Sequence, residues 1–402
     1  MVIRSFNILF IYILFITLTS YSVANSKQLS KSPFIPDDIL NKYDDLPKEY
    51  KSKICGFNNY KPKKNIINKD LAPKILGYNS RMDNWKIVEG VYSRDVFKEY
   101  ADAITYASVN ENDKVKEFLF DKLYTWAKNN ALSATKQCYT NSKDKPILKD
   151  CEGEWSDPNG QDIAPIKDAT VAVEIVMGLN YIYNLNFTSY KTDDPRHKKI
   201  NQWFKSFYKR IKPVSKFYMG NSAGWFFPNI ALKHNNNKNY KSLVKKLIKG
   251  ADKWILKDGS IKDRTTRGNR SLWYHHTGLG EAFMILEIAN AANVKLPKNY
   301  EKNILKAAEL FQDGFVDNSI LEPWAKKAHN SQASNGVQKF NKNLDGVSFN
   351  GPWFHIIQYR YPDHRTSKFL KSKMTTRARS LKSDEIAGIG IGCIYNALAN
   401  FN

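Results

Sequence analysis

The chain has 402 residues, of which 62 are Lys or Arg and 39 are Asp or Glu, and its formal net charge at pH 7 is +23. A field of this sign concentrates anions, whether they are nucleic acids, lipid headgroups or acidic polysaccharides. The four cysteines form no CxxC pair and no His/Cys cluster with zinc spacing, which argues against a structural zinc site. The sequence predicts no cofactor and no metal ion.

The first 24 residues have the pattern of a secretory signal peptide. Arg4 precedes an apolar run over residues 6–18, and Ser22-Val23-Ala24 supplies a small-residue cleavage site. A membrane anchor is the alternative, but the run is short for a bilayer span and no basic stop-transfer flank follows it. We therefore expect a periplasmic or secreted monomer with no stable membrane anchor. Its polyanionic partner is then an acidic polysaccharide rather than a nucleic acid.

The rest of the chain divides into a lead-in and a helical domain. Residues 25–69 are polar and extended in pattern, and residues 70–402 are predicted to form a single domain. Within it, residues 115–132 place apolar side chains on one helical stripe, whereas residues 166–185 are apolar nearly all round, as in an inner helix covered on two sides. Such patterns recur with lysine-rich outer faces, and strand patterns are scarce. They predict helical hairpins stacked into a solenoid or a toroid.

The four cysteines allow three disulfide pairings, and the sequence does not choose among them. Cys138 and Cys151 bracket a polar loop, and a bridge between them is our prediction for an exported protein. Cys55 and Cys393 then remain to tie the two ends of the domain together.

A cluster of chemically active residues lies in the segment RGNRSLWYHH, residues 267–276. In a helix, Arg267, Arg270 and Tyr274 have the spacing i, i+3 and i+7 and share one face. Two guanidinium groups beside one phenol favour its phenolate form, which a proton-transfer residue needs. The same spacing also fits a surface Arg–Tyr stack at a helix end.

This segment resembles the alginate lyase family, the poly(mannuronate) lyases of polysaccharide lyase family five. Members carry Gly-x-Leu-Pro-x-Glu-x-x-Arg-x-x-Arg-Ala-Leu-x-Tyr-His, followed by a helix ending in Ala-x-x-Asn-Gly-Val. The residues that match in register are Gly259, Ile261, Arg267, Arg270, Leu272, Tyr274 and His275, and residues 290–296 match the helix end. Weaker similarity extends over residues 115–300. The resemblance implies an all-α fold, an incomplete α/α toroid built as a barrel of helical hairpins.

The resemblance also implies a function, cleavage of an acidic polyuronate by β-elimination. The substrate would be alginate, polymannuronate or a glucuronan-like polymer. In the family, Asn, His and Arg neutralise the uronate carboxylate and Tyr moves protons. Carried over, Asn221 and Arg267 would hold the carboxylate, and Tyr274 would act as base and then as acid. The residues expected to bind substrate are Gln161, Lys167, Ser222, Trp225, Arg270 and His275.

One residue departs from the family pattern, because Ser222 stands where the family has histidine. When the C5 proton and O4 leave from the same face, as in mannuronate or glucuronate, one tyrosine can perform both transfers. Opposite-face elimination, as in guluronate, needs a second group. The sequence therefore favours same-face elimination, unless His275 or His276 takes the place of the missing histidine.

Three other functions compete with this one. Ser222 is also compatible with a catalytically altered protein that binds acidic glycan on the same fold without cleaving it. Scattered lysines fit a basic helical scaffold that binds cell-wall anions or headgroups. A glycoside hydrolase on a similar toroid would need two carboxylates flanking the bond, and the segment offers only Asp258 and Asp263.

Overall fold

The computed structural model describes residues 31–55, 60–71, 89–133, 164–211, 220–262, 264–327, 351–374 and 390–401. The predicted signal peptide lies outside these ranges, and so do Cys138 and Cys151 with the bridge predicted between them. None of the helices within these ranges is both long and apolar enough to cross a membrane.

The structure is built from α-helices. In chain order the α-helices of the described residues are α1 (Asp37–Asp44), α2 (Lys48–Ile54), α3 (Lys64–Ile67), α4 (Glu89–Val109), α5 (Asp113–Lys128), α6 (Ala164–Asn186), α7 (Arg196–Ile211), α8 (Gly220–Asn235), α9 (Lys241–Ala251), α10 (Ser271–Ala291), α11 (Tyr300–Val316), α12 (Glu322–Ala325), α13 (Pro352–Arg360), α14 (Arg365–Lys373) and α15 (Ile391–Asn400). Short 3₁₀ helices span Gly268–Arg270 and Asn318–Leu321. Extended pairing in these ranges is limited to one antiparallel bridge, between Ile255 and Ile261.

Consecutive helices form hairpins arranged in two layers. The inner helices α4, α6, α8, α10 and α13 each pack against the next, and the outer helices α5, α7, α9, α11 and α14 return the chain between them. The composition of the helices explains the layers. Helix α10 buries nearly all its residues, whereas α9 buries one stripe and exposes lysines. This is the α/α toroid that the sequence predicted, and the run at residues 166–185 is the inner helix α6.

The first and last helices of the described residues meet at a seam. Helix α15 packs against α13, α1 and α2, and α2 packs against α4. A disulfide joins Cys55 at the end of α2 to Cys393 in α15, with their Cα atoms 5.3 Å apart and a sequence separation of 338. The sequence offered this pairing only as what remained after Cys138 and Cys151, and the structure contains it.

Buried amides attach α8 to α6. Pro228 interrupts α8 and lacks the N–H that a helix interior uses. The Asn180 side chain donates from Nδ2 to the Pro228 carbonyl at 3.2 Å, and its Oδ1 accepts from Asn235 Nδ2 at 3.1 Å. Asn184 Nδ2 donates to Asn235 Oδ1 at 2.8 Å. These bonds satisfy otherwise costly buried polar groups and fix the position of the helix that carries Asn221.

Candidate active site

The loop between α9 and α10 leads into the segment that carries Tyr274. The Ile255–Ile261 bridge closes a tight turn in which Gly259 has φ +86°. A Cβ at Gly259 would lie 2.6 Å from the carbonyl oxygen of Lys306 in α11. Only glycine combines this backbone conformation with so close an approach. The loop is therefore held against α11.

Thr265 and His275 connect the loop to two helices. The Thr265 hydroxyl accepts from the Ile261 N–H at 2.8 Å and lies 2.8 Å from His275 Nδ1. His275 Nε2 lies 2.8 Å from the Ala307 carbonyl oxygen. The carbonyl can only accept, so Nε2 carries the proton and Nδ1 accepts from Thr265. Burial lowers the pKa of His275 to about 4, against the opposing effect of the Ala307 carbonyl, and the ring is neutral at pH 7.

This geometry corrects one expectation from the sequence. His275 was predicted to contact substrate, but its side chain is fully buried and both ring nitrogens are bonded within the protein. The residue anchors α10 to the loop and to α11.

Arg267 and Tyr274 lie together at the start of α10. Gly268, with φ +58°, turns the chain after Arg267 into the 3₁₀ helix. The Arg267 Cζ atom lies 4.8 Å from the centroid of the Tyr274 ring, which is cation–π distance. The Tyr274 side chain is half-buried, and Arg270 is exposed. The Tyr274 ring thus contacts a guanidinium and keeps part of its surface open to solvent.

Arg264 and Glu281 also lie at this site, and the sequence had not singled them out. The Arg264 Cζ atom lies 5.8 Å from the Tyr274 ring centroid, and its Nη2 donates to Glu281 Oε1 in a buried ion pair. Burial raises the pKa of Glu281, and Arg264 opposes that rise. The family pattern has Glu at the position of Arg264. That departure, together with the i, i+7 spacing of Tyr274 and Glu281, was the signal available in the sequence.

His276 packs against aromatic residues of α11 and α13. It is fully buried, and its Nδ1 accepts from Trp353 Nε1 at 3.0 Å. The rings of Phe354 and Phe311 lie 5.2 and 5.6 Å from the His276 ring. As placed, neither His275 nor His276 reaches the solvent-facing side of Tyr274.

The remaining predicted site residues lie on inner helices or outside the described ranges. Asn221, Ser222 and Trp225 lie at the start of α8, and Lys167 lies at the start of α6; their side chains are not among those described. Gln161 lies outside the described residues. The roles of all five residues stay predictions.

The carboxylates proposed for a glycoside hydrolase receive little support. Asp258 Oδ1 accepts from Ser260 N and Oγ, and Oδ2 accepts from Trp324 Nε1 at 3.3 Å. Burial opposes the change, but these hydrogen bonds lower the pKa of Asp258. It is thus committed to the loop, and Asp263 lies outside the described residues. Across the described part of the chain, no group of three or more His, Cys, Asp or Glu residues could hold a metal ion.

Comparison with known proteins gives consistent results. The profile of the alginate lyase family matches residues 95–320. Alginate lyase A1-III from Sphingomonas species A1 has a similar structure, with a TM-score of 0.53 and 14% identity over 90% of this chain and 99% of that chain. A histidine-to-alanine variant of alginate lyase A1-III complexed with a tetrasaccharide gives a TM-score of 0.56 and 13% identity over 89% and 96% of the two chains. No curated protein matches significantly in sequence.

Proposed function

This chain belongs to the alginate lyase family and is a polysaccharide lyase, and on that premise we propose that it is an exported enzyme that cleaves polymannuronate-like polyuronates with Tyr274 as its proton-transfer residue. The observation that carries the proposal is the Arg267 guanidinium, 4.8 Å from the Tyr274 ring at the start of an inner helix. A cation and a proton-transfer group are thereby fixed side by side. β-Elimination requires both.

The reaction balances with these groups. Tyr274 as phenolate removes the C5 proton next to the uronate carboxylate, and the electron pair forms a C4–C5 double bond as the C4–O4 bond breaks. The phenol then donates its proton to the departing O4, which returns the phenolate. Arg267, with Asn221, neutralises the carboxylate on which charge develops during proton removal. Neither water nor a cofactor is consumed.

The neighbourhood of Asn221 and Tyr274 supports their joint use. Helix α8 packs against α10, and each outer helix reverses the chain, so these two inner helices run in the same direction. Asn221 and Tyr274 both lie near the N-terminal ends of their helices. Residues from separate hairpins can then meet at one end of the toroid. Lys167, Gln161, Trp225 and Arg270 remain our candidates for contacts with neighbouring sugars.

The burial of His275 and His276 supports same-face elimination. Both side chains have no exposed surface, and Ser222 is a poor base. A single tyrosine can serve both transfers when C5–H and O4 lie on one face, as in mannuronate. We propose that mannuronate–mannuronate bonds are cleaved faster than guluronate–guluronate bonds.

The test measures the ultraviolet absorbance of the unsaturated product with polymannuronate, polyguluronate, glucuronan and pectate. Absorbance should rise with polymannuronate and change little with polyguluronate. Arg267→Ala should lower kcat/KM by about a hundredfold, because one cation supports both binding and the developing charge. Arg365→Gln, which removes an exposed ion pair to Asp313, is the control and should retain wild-type kcat/KM.

The glycan-binding alternative predicts a different outcome. A protein that binds these polymers but forms no unsaturated product from any of them contradicts the proposed reaction. Titration calorimetry with polymannuronate would then still show binding.

A further inference from the structure

Arg264 extends the proposed site in a way that the family pattern does not provide. We propose that Arg264, anchored by Glu281, is a positioning residue that holds a second positive charge against Tyr274 during elimination. The inference rests on the proposed function. It concerns one departure of this chain from the family pattern, Arg264 in place of the family glutamate.

The ion pair has a defined direction along α10. Tyr274, Gly278 and Glu281 have the spacing i, i+4 and i+7, so they lie on one face of the helix. The Arg264 guanidinium lies 5.8 Å from the Tyr274 ring. The Glu281 backbone is about 10 Å farther along the helix axis than that of Tyr274. The positive end of the pair therefore faces the phenol, and the negative end lies behind it.

The space for Arg264 depends on Gly278. A Cβ at Gly278 would lie 3.1 Å from Arg264 Cγ and 3.0 Å from Ile261 Cδ1. These are closer than ordinary packing contacts. The aliphatic part of the Arg264 side chain therefore packs over Gly278, and the Glu281 carboxylate binds its guanidinium.

The guanidinium retains hydrogen-bonding capacity. Only 12% of the Arg264 side chain is exposed, and its buried Nε has no hydrogen-bond partner among the described residues. A buried donor without a partner is costly. An Nε donor without a partner remains available to negative charge that develops nearby during the reaction.

The expected effect follows from preorganisation. When Tyr274 donates its proton to O4, negative charge develops on the phenol oxygen, and a cation held rigidly beside it stabilises that charge without reorganisation. Removing one such group commonly lowers kcat by about a hundredfold. Because Arg264 acts through Tyr274 rather than by binding sugar, the KM for polymannuronate should change little.

The experiment compares kcat and KM of the full-length enzyme for polymannuronate. Arg264→Gln should lower kcat by tenfold to a hundredfold with KM within about threefold of the wild-type value. Arg264→Lys retains the charge and should lose less than about fivefold in kcat. Arg365→Gln should match the wild-type enzyme. Equal losses of kcat in Arg264→Gln and Arg264→Lys, or a wild-type kcat for Arg264→Gln, would overturn the proposal.

A double-mutant cycle separates this proposal from the proposed function. In a Tyr274→Phe background, Arg264→Gln should cause no further loss of residual turnover, because the group through which it acts is absent. Additive losses would show that Arg264 acts independently of Tyr274. If Tyr274→Phe retains full activity, the proposed function itself fails. If Tyr274→Phe is inactive while Arg264→Gln is normal, only the present inference fails.

Discussion

Two glutamates of helix α10 each pair with an arginine from another element, and each pair lies beside a tyrosine, but the two pairs have different roles. In the first pair, Arg264 binds Glu281 in the middle of α10 and lies over the ring of the half-buried Tyr274 near the helix start. Near its end, Arg360 binds Glu287 through two hydrogen bonds of 2.9 and 2.7 Å. There the Tyr395 hydroxyl also donates to the Glu287 carboxylate.

The difference lies in what the tyrosine hydroxyl does. Tyr395 is fully buried, and its pKa is raised well above the usual value by burial and by the Glu287 carboxylate. Its proton is committed to that carboxylate. Tyr274 presents its ring to cations and keeps part of its surface open to solvent. The same three residue types thus form a structural tie at one end of the helix and a candidate reactive site at the other.

The largest expected effect comes from removing each hydroxyl in turn. Tyr274→Phe should lower kcat on polymannuronate by about 10³-fold, as expected for loss of a general acid–base group, while calorimetry still detects polymer binding. Tyr395→Phe should leave kcat unchanged and lower Tm. A normal kcat for Tyr274→Phe, or a large loss of kcat for a folded Tyr395→Phe, would break the distinction.

Breaking the structural pair, Arg360 with Glu287, should strongly lower the free energy of unfolding. Arg360→Met leaves the fully buried Glu287 carboxylate without its cation, which should destabilise the protein by about 3–5 kcal/mol in urea unfolding. Combining it with Glu287→Leu should recover much of that loss, because no buried charge then remains. In both variants kcat should stay near wild type, provided that the assay temperature keeps them folded.

The histidine beside Tyr274 provides a pH test of its structural role. The folded pKa of His275, about 4, lies below the ordinary value near 6.5, so the unfolded chain binds a proton that the folded protein does not. Stability should therefore be intact above pH 6.5 and fall by about 3 kcal/mol as pH decreases toward 4. Urea unfolding at pH 7 and pH 4.5 should show a smaller decrease for His275→Gln than for the wild-type protein.

The smallest expected effect is the salt dependence of kcat/KM, which reflects surface charge rather than either ion pair. Added salt screens the exposed lysines but has little effect on buried ion pairs. Between 0.05 and 0.3 M salt, kcat/KM on polymannuronate should fall by about threefold, and activity on short oligomers should change less. Equal salt dependence for polymer and oligomer would indicate that the net charge does not guide the substrate.

The sequence by itself determined the fold class and indicated which neighbouring residues form the candidate site. Hydrophobic periodicity is a local property, so α6 as an inner helix and the absence of strands from the pattern followed from it directly. Arg267, Arg270 and Tyr274 are close in sequence, and the geometry of one helix start relates them. The pairing of Cys55 with Cys393 was foreseen only as the remaining choice, because nothing local relates positions 338 residues apart.

Only the tertiary structure decided which polar residues near Tyr274 are buried. In the sequence, His275 and His276 look like residues that could bind a ligand. In the structure their ring nitrogens form hydrogen bonds to Thr265, Ala307 and Trp353 from other elements. Arg264 and Arg360 become partners of Glu281 and Glu287 because the loop and α13 pack on different sides of α10. Hydrogen-bond partners and burial depend on packing between distant segments, and neither periodicity nor spacing encodes them.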